Sequence, residues 1–255
     1  MTHAQLADEL TQIARQAGNE IMRIYAADFE TSRKADQSPV TAADLAGEAV
    51  IVAALRRLTP DIPVVAEEEA HAHGLPEQAP ERFWLVDPLD GTKEFVARNG
   101  EFTVNIALIE RTTPVLGIVH LPALDQMYRG HSGIAERSVT GASFERIGAR
   151  TPPAEGGIMT ISRSHASDER VKVEELGERV QGTMVAGSSL KFCRLAEGVA
   201  DLYPRFGTTM EWDTAAGHAV LAAAGGAVST IEGAPLAYGK AGFRNPHFIA
   251  RGRRG

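Results

Sequence analysis

The stretch "FTVNIALIERTTPVLGIVHLP", residues 102–122, limits the possible folds more than any other in the chain. Phe102, Val104, Ile106 and Leu108 alternate with their neighbours, and a short polar turn then leads into a second apolar run. Parallel neighbours need a crossover of a dozen or more residues, whereas antiparallel ones need only a turn. The spacing therefore predicts a β-hairpin. With the apolar run "RFWLV" shortly before it, the hairpin implies an antiparallel sheet and an α+β first half.

Helices and further strands are legible on either side. Leu6, Leu10, Ile13, Ala17 and Ile21 recur at three- and four-residue steps, so the first 25 residues read as an amphipathic helix. A second helix opens at "TAADLAGEAVIVAALRRL", with Thr41 as N-cap and Asp44 as the capping-box acid. "IPVVA" predicts a short buried strand running into Glu67, Glu68 and Glu69, and "RFWLV" a strand ending at Asp87. After the loop "ARTPPAEGG" the pattern changes. Strand-like "IMTIS", helical "SDERVKVEELGERV", strand "TMVAG", helical "LKFCRLAEG" and strand "ADLYP" alternate, and the Ala-rich helix "WDTAAGHAVLAAAGG" follows. That order suggests α/β units. It puts a boundary near residue 155, between an α+β half over 1–155 and an α/β half over 156–255.

Composition removes several classes of function. In 255 residues no apolar run approaches the ~20 needed to span a bilayer, and the polar, acidic N-terminus does not read as a secretory signal. The single cysteine, Cys193, excludes an internal disulfide framework. It suits a reducing cytoplasm, with attachment to the inner face of the membrane left open. No CxxC or HExxH zinc pattern is present. A net charge of −7 disfavours a groove for a nucleic acid polymer but permits a small anionic substrate if metal ions or local cations offset the field.

Three acidic places stand where strands end or a helix begins: Glu67 after "PVVA", Asp87 and Asp90 after "FWLV", and Asp213 after "MEW". Carboxylates gathered at one site repel one another, and an all-oxygen set of this kind suits Mg²⁺. A tight turn between Asp87 and Asp90, restricted by Pro88, lets both side chains converge, with the Leu89 carbonyl as a further oxygen. Gly91 permits close backbone approach to a ligand, and a helix starting at Thr92 would turn its free N–H groups to a phosphate. Blander readings stand beside these: Glu67–Glu69, His71 and His73 as a solvated loop, Asp44 and Asp213 as simple caps, and Lys191 and Arg205 as surface residues.

Together, "DPLDGT", "AEEE" upstream and "WDTAAGHAVLAAAGG" downstream resemble the inositol monophosphatase superfamily of Mg²⁺-dependent, lithium-sensitive phosphatases. The resemblance runs nearly end to end. "SRSH", "GSSLKFCRLAEGVADLYPRFG" and "EWDTAAGHAV" look closest to its 3'(2'),5'-bisphosphate nucleotidase subgroup, which acts on adenosine 3',5'-bisphosphate beside sulfate assimilation. The resemblance implies a layered α-β-α-β-α sandwich and two or three Mg²⁺ ions on Glu67, Asp87, the Leu89 carbonyl, Asp90 and Asp213. It implies inhibition by Li⁺ and activation of water by Asp44 and Thr92. Glu68 would assist through water and Glu69 would face solvent. Substrate contacts carry over to Glu67, Leu89, Asp90, Gly91, Thr92 and Asp213 around the phosphate, and to His165, Ser188, Lys191 and Arg205 around the nucleotide. The rivals are a broader inositol- or sugar-phosphate phosphatase, and a chain that keeps the fold but works by binding RNA or protein. Oligomeric state is not legible.

Overall fold

The computed structural model describes residues 1–27, 31–33, 39–162 and 166–253. Helix α1 (His3–Tyr25) starts at Thr2, whose hydroxyl accepts from the Gln5 N–H while the Gln5 side chain accepts from the Thr2 N–H. Its predicted stripe, Leu6 through Ile21, is buried. A short antiparallel ribbon, β1 (Thr31–Arg33) with β2 (Pro39–Thr41), leads into α2 (Ala42–Leu58), which packs beside α1.

The two helices cover one face of a seven-stranded sheet, ordered β3-β4-β5-β6-β7-β8-β9. Its strands are β3 (Val64–Ala66), β4 (Arg82–Asp90), β5 (Thr103–Glu110), β6 (Thr113–Leu121), β7 (Gln126–His131), β8 (Ile134–Val139) and β9 (Glu145–Arg146). Two short helices interrupt them, α3 (Glu67–His73) and α4 (Thr92–Val96). β3 and β4 run parallel, and the later neighbours are antiparallel. The predicted hairpin is β5–β6, with Glu110 opposite Thr113 across Arg111 and Thr112. β4 is apolar at successive positions because both faces of the sheet are covered. Trp84 and Val86 enter the core beneath α1 and α2, while Phe83 and Leu85 enter the core on the opposite side.

The rest of the chain supplies β10 (Gly157–Ile161), α5 (Ala166–Glu175), β11 (Val180–Val185), α6 (Leu190–Ala196), β12 (Leu202–Arg205), α7 (Ala215–Ala223), β13 (Ala227–Thr230) and β14 (Phe248–Arg251). The second sheet has the order β11-β10-β12-β14-β13; its first three strands are parallel and β14 is antiparallel to both neighbours. α6 and α7 fill the layer between the sheets, and α5 covers the outer face with Val173 against Met159 and Leu202. The result is the expected α-β-α-β-α sandwich. The middle layer is tight: a Cβ on Gly117 of β6 would lie 2.4 Å from the Ala216 carbonyl oxygen of α7. That close approach fixes the start of α7, and with it Asp213, relative to the central sheet.

Candidate active site

Acidic residues far apart in sequence stand around the end of β4 and the start of α7, and three of them, Glu67, Asp90 and Asp213, feel one another's charge. Asp87, Leu89 and Asp90 ride the end of β4, Glu67 is the first residue of α3, Asp44 stands in the first turn of α2, and Asp213 just precedes α7. β4 does not stop at Asp87 and turn, as predicted. It continues through a bulge: Asp87 pairs with Asn105 and Asp90 with Thr103, so Pro88 and Leu89 both face the single Val104. Proline suits this place because it has no N–H to leave unpaired. The Leu89 N–H donates to Asp87 Oδ1 at 3.0 Å, and its side chain is buried in the core with α1 and α2.

Gly91 turns the chain with φ at +91°, and a Cβ there would lie 2.0 Å from Ser188 Oγ. Gly91, the N-cap residue of α4, gives the helix no side-chain bond. Thr92 Oγ1 donates to Asp44 Oδ1 at 3.4 Å, while Asp44 Oδ2 accepts from the Thr41 N–H at 2.7 Å and the Thr41 hydroxyl at 2.8 Å. The capping box and the contact to Thr92 thus use different oxygens of one carboxylate.

The opposite wall comes from the second half. Ser188 Oγ donates to the Asp90 carbonyl and Ser189 Oγ to the Asp213 carbonyl, both at 2.9 Å. The Met210 N–H donates to Asp213 Oδ2 at 2.8 Å. Lys191, a surface residue by type, is only 5% exposed; its Nζ donates to the Ala186 carbonyl at 3.3 Å and lies 5.2 Å from the Tyr203 ring centre. Arg205 makes a long contact to the Thr208 carbonyl, 3.4 Å, and among the described residues its buried Nε has no partner. A cleft of about 180 Å³ lies between the walls, lined by Asp90, Gly91, Ser188, Lys191, Arg205 and Asp213 among others. A second of about 540 Å³, lined in part by Glu67, Trp212 and Arg244, adjoins it at Asp213.

Asp90 and Asp213 keep some exposure to the cleft but are crowded by protein. Burial pushes the Asp90 carboxyl up to about 6; Lys191 and the Ser189 N–H pull it down, while Glu94 and Glu67 push it further up. Burial, then the charges of Asp90 and Glu67, hold Asp213 well above the usual carboxylate range. Burial pushes Lys191 down against the attraction of Asp90. Among the described residues, no three His, Cys, Asp or Glu side chains are already drawn into a group that could hold an ion. Glu67, Asp90 and Asp213 nonetheless feel one another's charge.

The solvated-loop reading of Glu67–His73 is corrected: these residues form α3. Their partner is Glu48, whose Oε2 accepts from the Glu68 N–H and Oε1 from the Glu69 N–H, each at 2.7 Å. Burial raises the Glu48 carboxyl to about 7, against the lowering effect of those two bonds. Glu69 pairs with Arg56 at 2.8 Å, and His71 Nδ1 lies 2.7 Å from the Glu67 carbonyl. Sequence reasoning missed Glu48; its signal was a lone acid one turn past Asp44 in an otherwise apolar run. It also missed Glu211, fully buried, which takes the Gly239 and Lys240 N–H groups and pairs with Lys240 Nζ at 2.5 Å. Asn245, which donates to the Met210 carbonyl at 2.8 Å and to Thr214 Oγ1 at 3.0 Å, completes the bracing around Asp213. His165 lies outside the described residues.

Over residues 3–251 the chain matches the model of the inositol monophosphatase family, and it belongs to that family. The 3'(2'),5'-bisphosphate nucleotidase CysQ of Salmonella typhimurium is 50% identical over 248 residues, covering 95% of this chain and 98% of its own. The protein of the same name from Buchnera aphidicola is 40% identical, covering 96% and 93%. The crystal structure of CysQ from Bacteroides thetaiotaomicron matches with a TM-score of 0.80 at 36% identity, covering 98% of each chain. The IMPase of Thermotoga maritima gives 0.76 at 26% identity, covering 96% and 91%.

Proposed function

We infer that this chain is a 3'(2'),5'-bisphosphate nucleotidase. It removes the 3'-phosphate of adenosine 3',5'-bisphosphate, giving AMP and inorganic phosphate, depends on Mg²⁺, and serves sulfate assimilation in the cytoplasm. The main support is the 50% identity, over nearly the whole chain, to a relative of that name.

The donor set fits a hard divalent cation. Asp90 and Asp213 are held toward the protonated form by burial and by neighbouring acids, an arrangement that added positive charge relieves. Glu67, Asp87, the Leu89 carbonyl, Asp90 and Asp213 would hold Mg²⁺, which when bound supplies positive charge to the phosphoryl oxygens and makes water more acidic.

The chain's own residues orient the reactants and move the proton. Thr92 Oγ1 donates to Asp44 and so presents its lone pairs outward, where they accept a hydrogen bond from the attacking water. The proton leaves that water by way of Thr92 toward Asp44 Oδ1, while Thr41 holds Oδ2 in place. A separation of 3.4 Å is long for such a transfer, and catalytic hydrogen bonds commonly tighten only in the substrate complex. The water oxygen bonds to phosphorus, the bond to the ribose 3'-oxygen breaks, and that oxygen takes a proton from solvent water in the cleft, to which Asp44 afterwards gives up the proton it received. Ser188 braces the turn beneath the phosphate, Arg205 offers a cationic group on the nucleotide side, and Lys191 lines the same cleft with its charge felt by Asp90.

Phosphate release across a panel of adenosine bisphosphates and inositol phosphates, with and without Mg²⁺, tests the reading. Fast, Mg²⁺-dependent release from adenosine 3',5'-bisphosphate is the expected result. Li⁺ added at fixed Mg²⁺ should slow it, and Na⁺ should not. Release from inositol phosphates alone would replace the nucleotidase by a broader sugar-phosphate phosphatase.

A further inference from the structure

We propose that Glu48 is a positioning residue for Glu67, acting through the head of α3 and setting how tightly the acidic site binds a divalent cation; this rests on the Mg²⁺-dependent reading above. Glu48 lies four residues after Asp44 on α2, so the two carboxylates leave the same face of one helix. Asp44 turns to Thr92 on α4, and Glu48 turns to α3. Its two oxygens each take one backbone N–H, of Glu68 and of Glu69, at 2.7 Å.

These are the second and third N–H groups of α3, which a helix cannot pair internally. The N-cap residue, Ala66, gives α3 no side-chain bond. A Ser or Thr there would cap the helix locally. Instead the cap is a buried carboxylate from a different helix, set beside Glu68 and Glu69 despite their like charge. Gripping two successive N–H groups fixes the direction of the first turn as well as its place. Glu67 is the first residue of that turn. Through Glu48, α2 therefore ties the backbone bearing Glu67 to the helix bearing Asp44, so the metal-binding and water-activating carboxylates keep a set separation.

The test uses Mn²⁺ alone as the probe, titrated without substrate into the whole protein and followed by electron paramagnetic resonance. Parent, Glu48→Gln, Glu48→Asp and Thr2→Ala are compared, with melting curves for each. The amide of Glu48→Gln offers one acceptor and opposes the second backbone N–H with an NH₂ group. Its Kd for Mn²⁺ should rise about tenfold, the low end of what losing an outer residue that orients a metal ligand costs. Glu48→Asp keeps the charge but withdraws it by one methylene, and its Kd should rise too. Thr2→Ala, which uncaps the remote helix α1, should lower Tm and leave Kd unchanged. A merely structural Glu48 would behave as Thr2 does: a Kd within about threefold of the parent's in folded Glu48→Gln overturns the proposal. Glu48→Asp is held to the same limit if Glu48→Gln does not fold. A parent that binds no Mn²⁺ sinks the metal-dependent reading, and this proposal with it.

Discussion

At the scale of single residues, Asp90, a proposed metal ligand, works against the stability of the fold when ionised. Its carboxyl is raised from 3.8 to about 6, chiefly by burial. A folded pKa above the unfolded one contributes stability that is complete below the unfolded value and lost as pH rises through the folded value. Without metal, Asp90→Asn should therefore be the more stable protein at about pH 8, by on the order of 1–2 kcal/mol once partial exposure is allowed for. The gap should close toward about pH 4. Urea melts in EDTA at the two pH values measure it, and a parent that outlasts the variant at the higher pH contradicts the account. Mg²⁺ should then stabilise the parent alone, and the variant should turn over almost no substrate. Thr92 makes a different prediction. If its hydroxyl passes the proton toward Asp44, Thr92→Ala lowers kcat much more than it raises KM, because the lost contact acts chiefly in the transition state. Weaker binding at an unchanged kcat would leave Thr92 as a phosphate contact only.

At the scale of elements, what could be read in the sequence depended on whether the cause was local. The β5–β6 hairpin, the α1 stripe and the Thr41–Asp44 capping box are set by residues within a few positions of each other, and all three are present as predicted. α3 was hidden because the carboxylate that caps it sits 20 residues earlier than Glu68 on another helix. β7 and β8 were hidden by their polarity. Arg129 and Glu136 stand opposite each other and pair at 2.7 Å across the strands, a bond that substitutes for apolar alternation. The acidic motif was legible, but its geometry was not. Asp87 and Asp90 are joined through a bulge opposite Thr103, Val104 and Asn105 of β5, and no local pattern around Pro88 distinguishes that from a turn. Gly91, which joins β4 to α4, gives the prediction at this scale. An alanine there meets both the left-handed φ and Ser188 Oγ, so it must displace the bond from Ser188 to the Asp90 carbonyl. Gly91→Ala should cost about 1–3 kcal/mol and lower kcat together with Tm. Calorimetry beside steady-state kinetics would show this, and a parent-like Tm and rate would mean that the turn has slack.

The whole molecule sets two unlike walls against each other, and substrate choice follows from the difference. On the proposed reading, the first half brings carboxylates from α2, α3 and β4, and the second adds Asp213, to the phosphate being removed, which any substrate of this family presents. Discrimination must then come from the second half, where α6 and β12 carry Lys191 and Arg205. In a chain of net charge −7, these local cations must supply the attraction for an anionic nucleotide. The two are not equivalent. Lys191 is buried, with its charge directed at Asp90, so it supports the metal site whatever the substrate. Among the described residues Arg205 makes one long hydrogen bond, to the Thr208 carbonyl, and a fork of N–H donors suits the second phosphate that a bisphosphate carries and an inositol monophosphate lacks. Adenosine 3',5'-bisphosphate should therefore exceed inositol 1-phosphate by at least about tenfold in kcat/KM, the factor that roughly 1.4 kcal/mol provides. Arg205→Ala should shrink that ratio by raising KM for the bisphosphate while barely touching inositol phosphate turnover. Lys191→Ala should lower kcat for both, since Asp90 loses its counter-charge. Measuring both substrates on the three proteins at one Mg²⁺ concentration separates these roles. If Lys191→Ala changed the ratio and Arg205→Ala did not, the assignment of the two cations would be reversed, and equal turnover by the parent would leave a phosphatase that reads only the phosphate its first half grips.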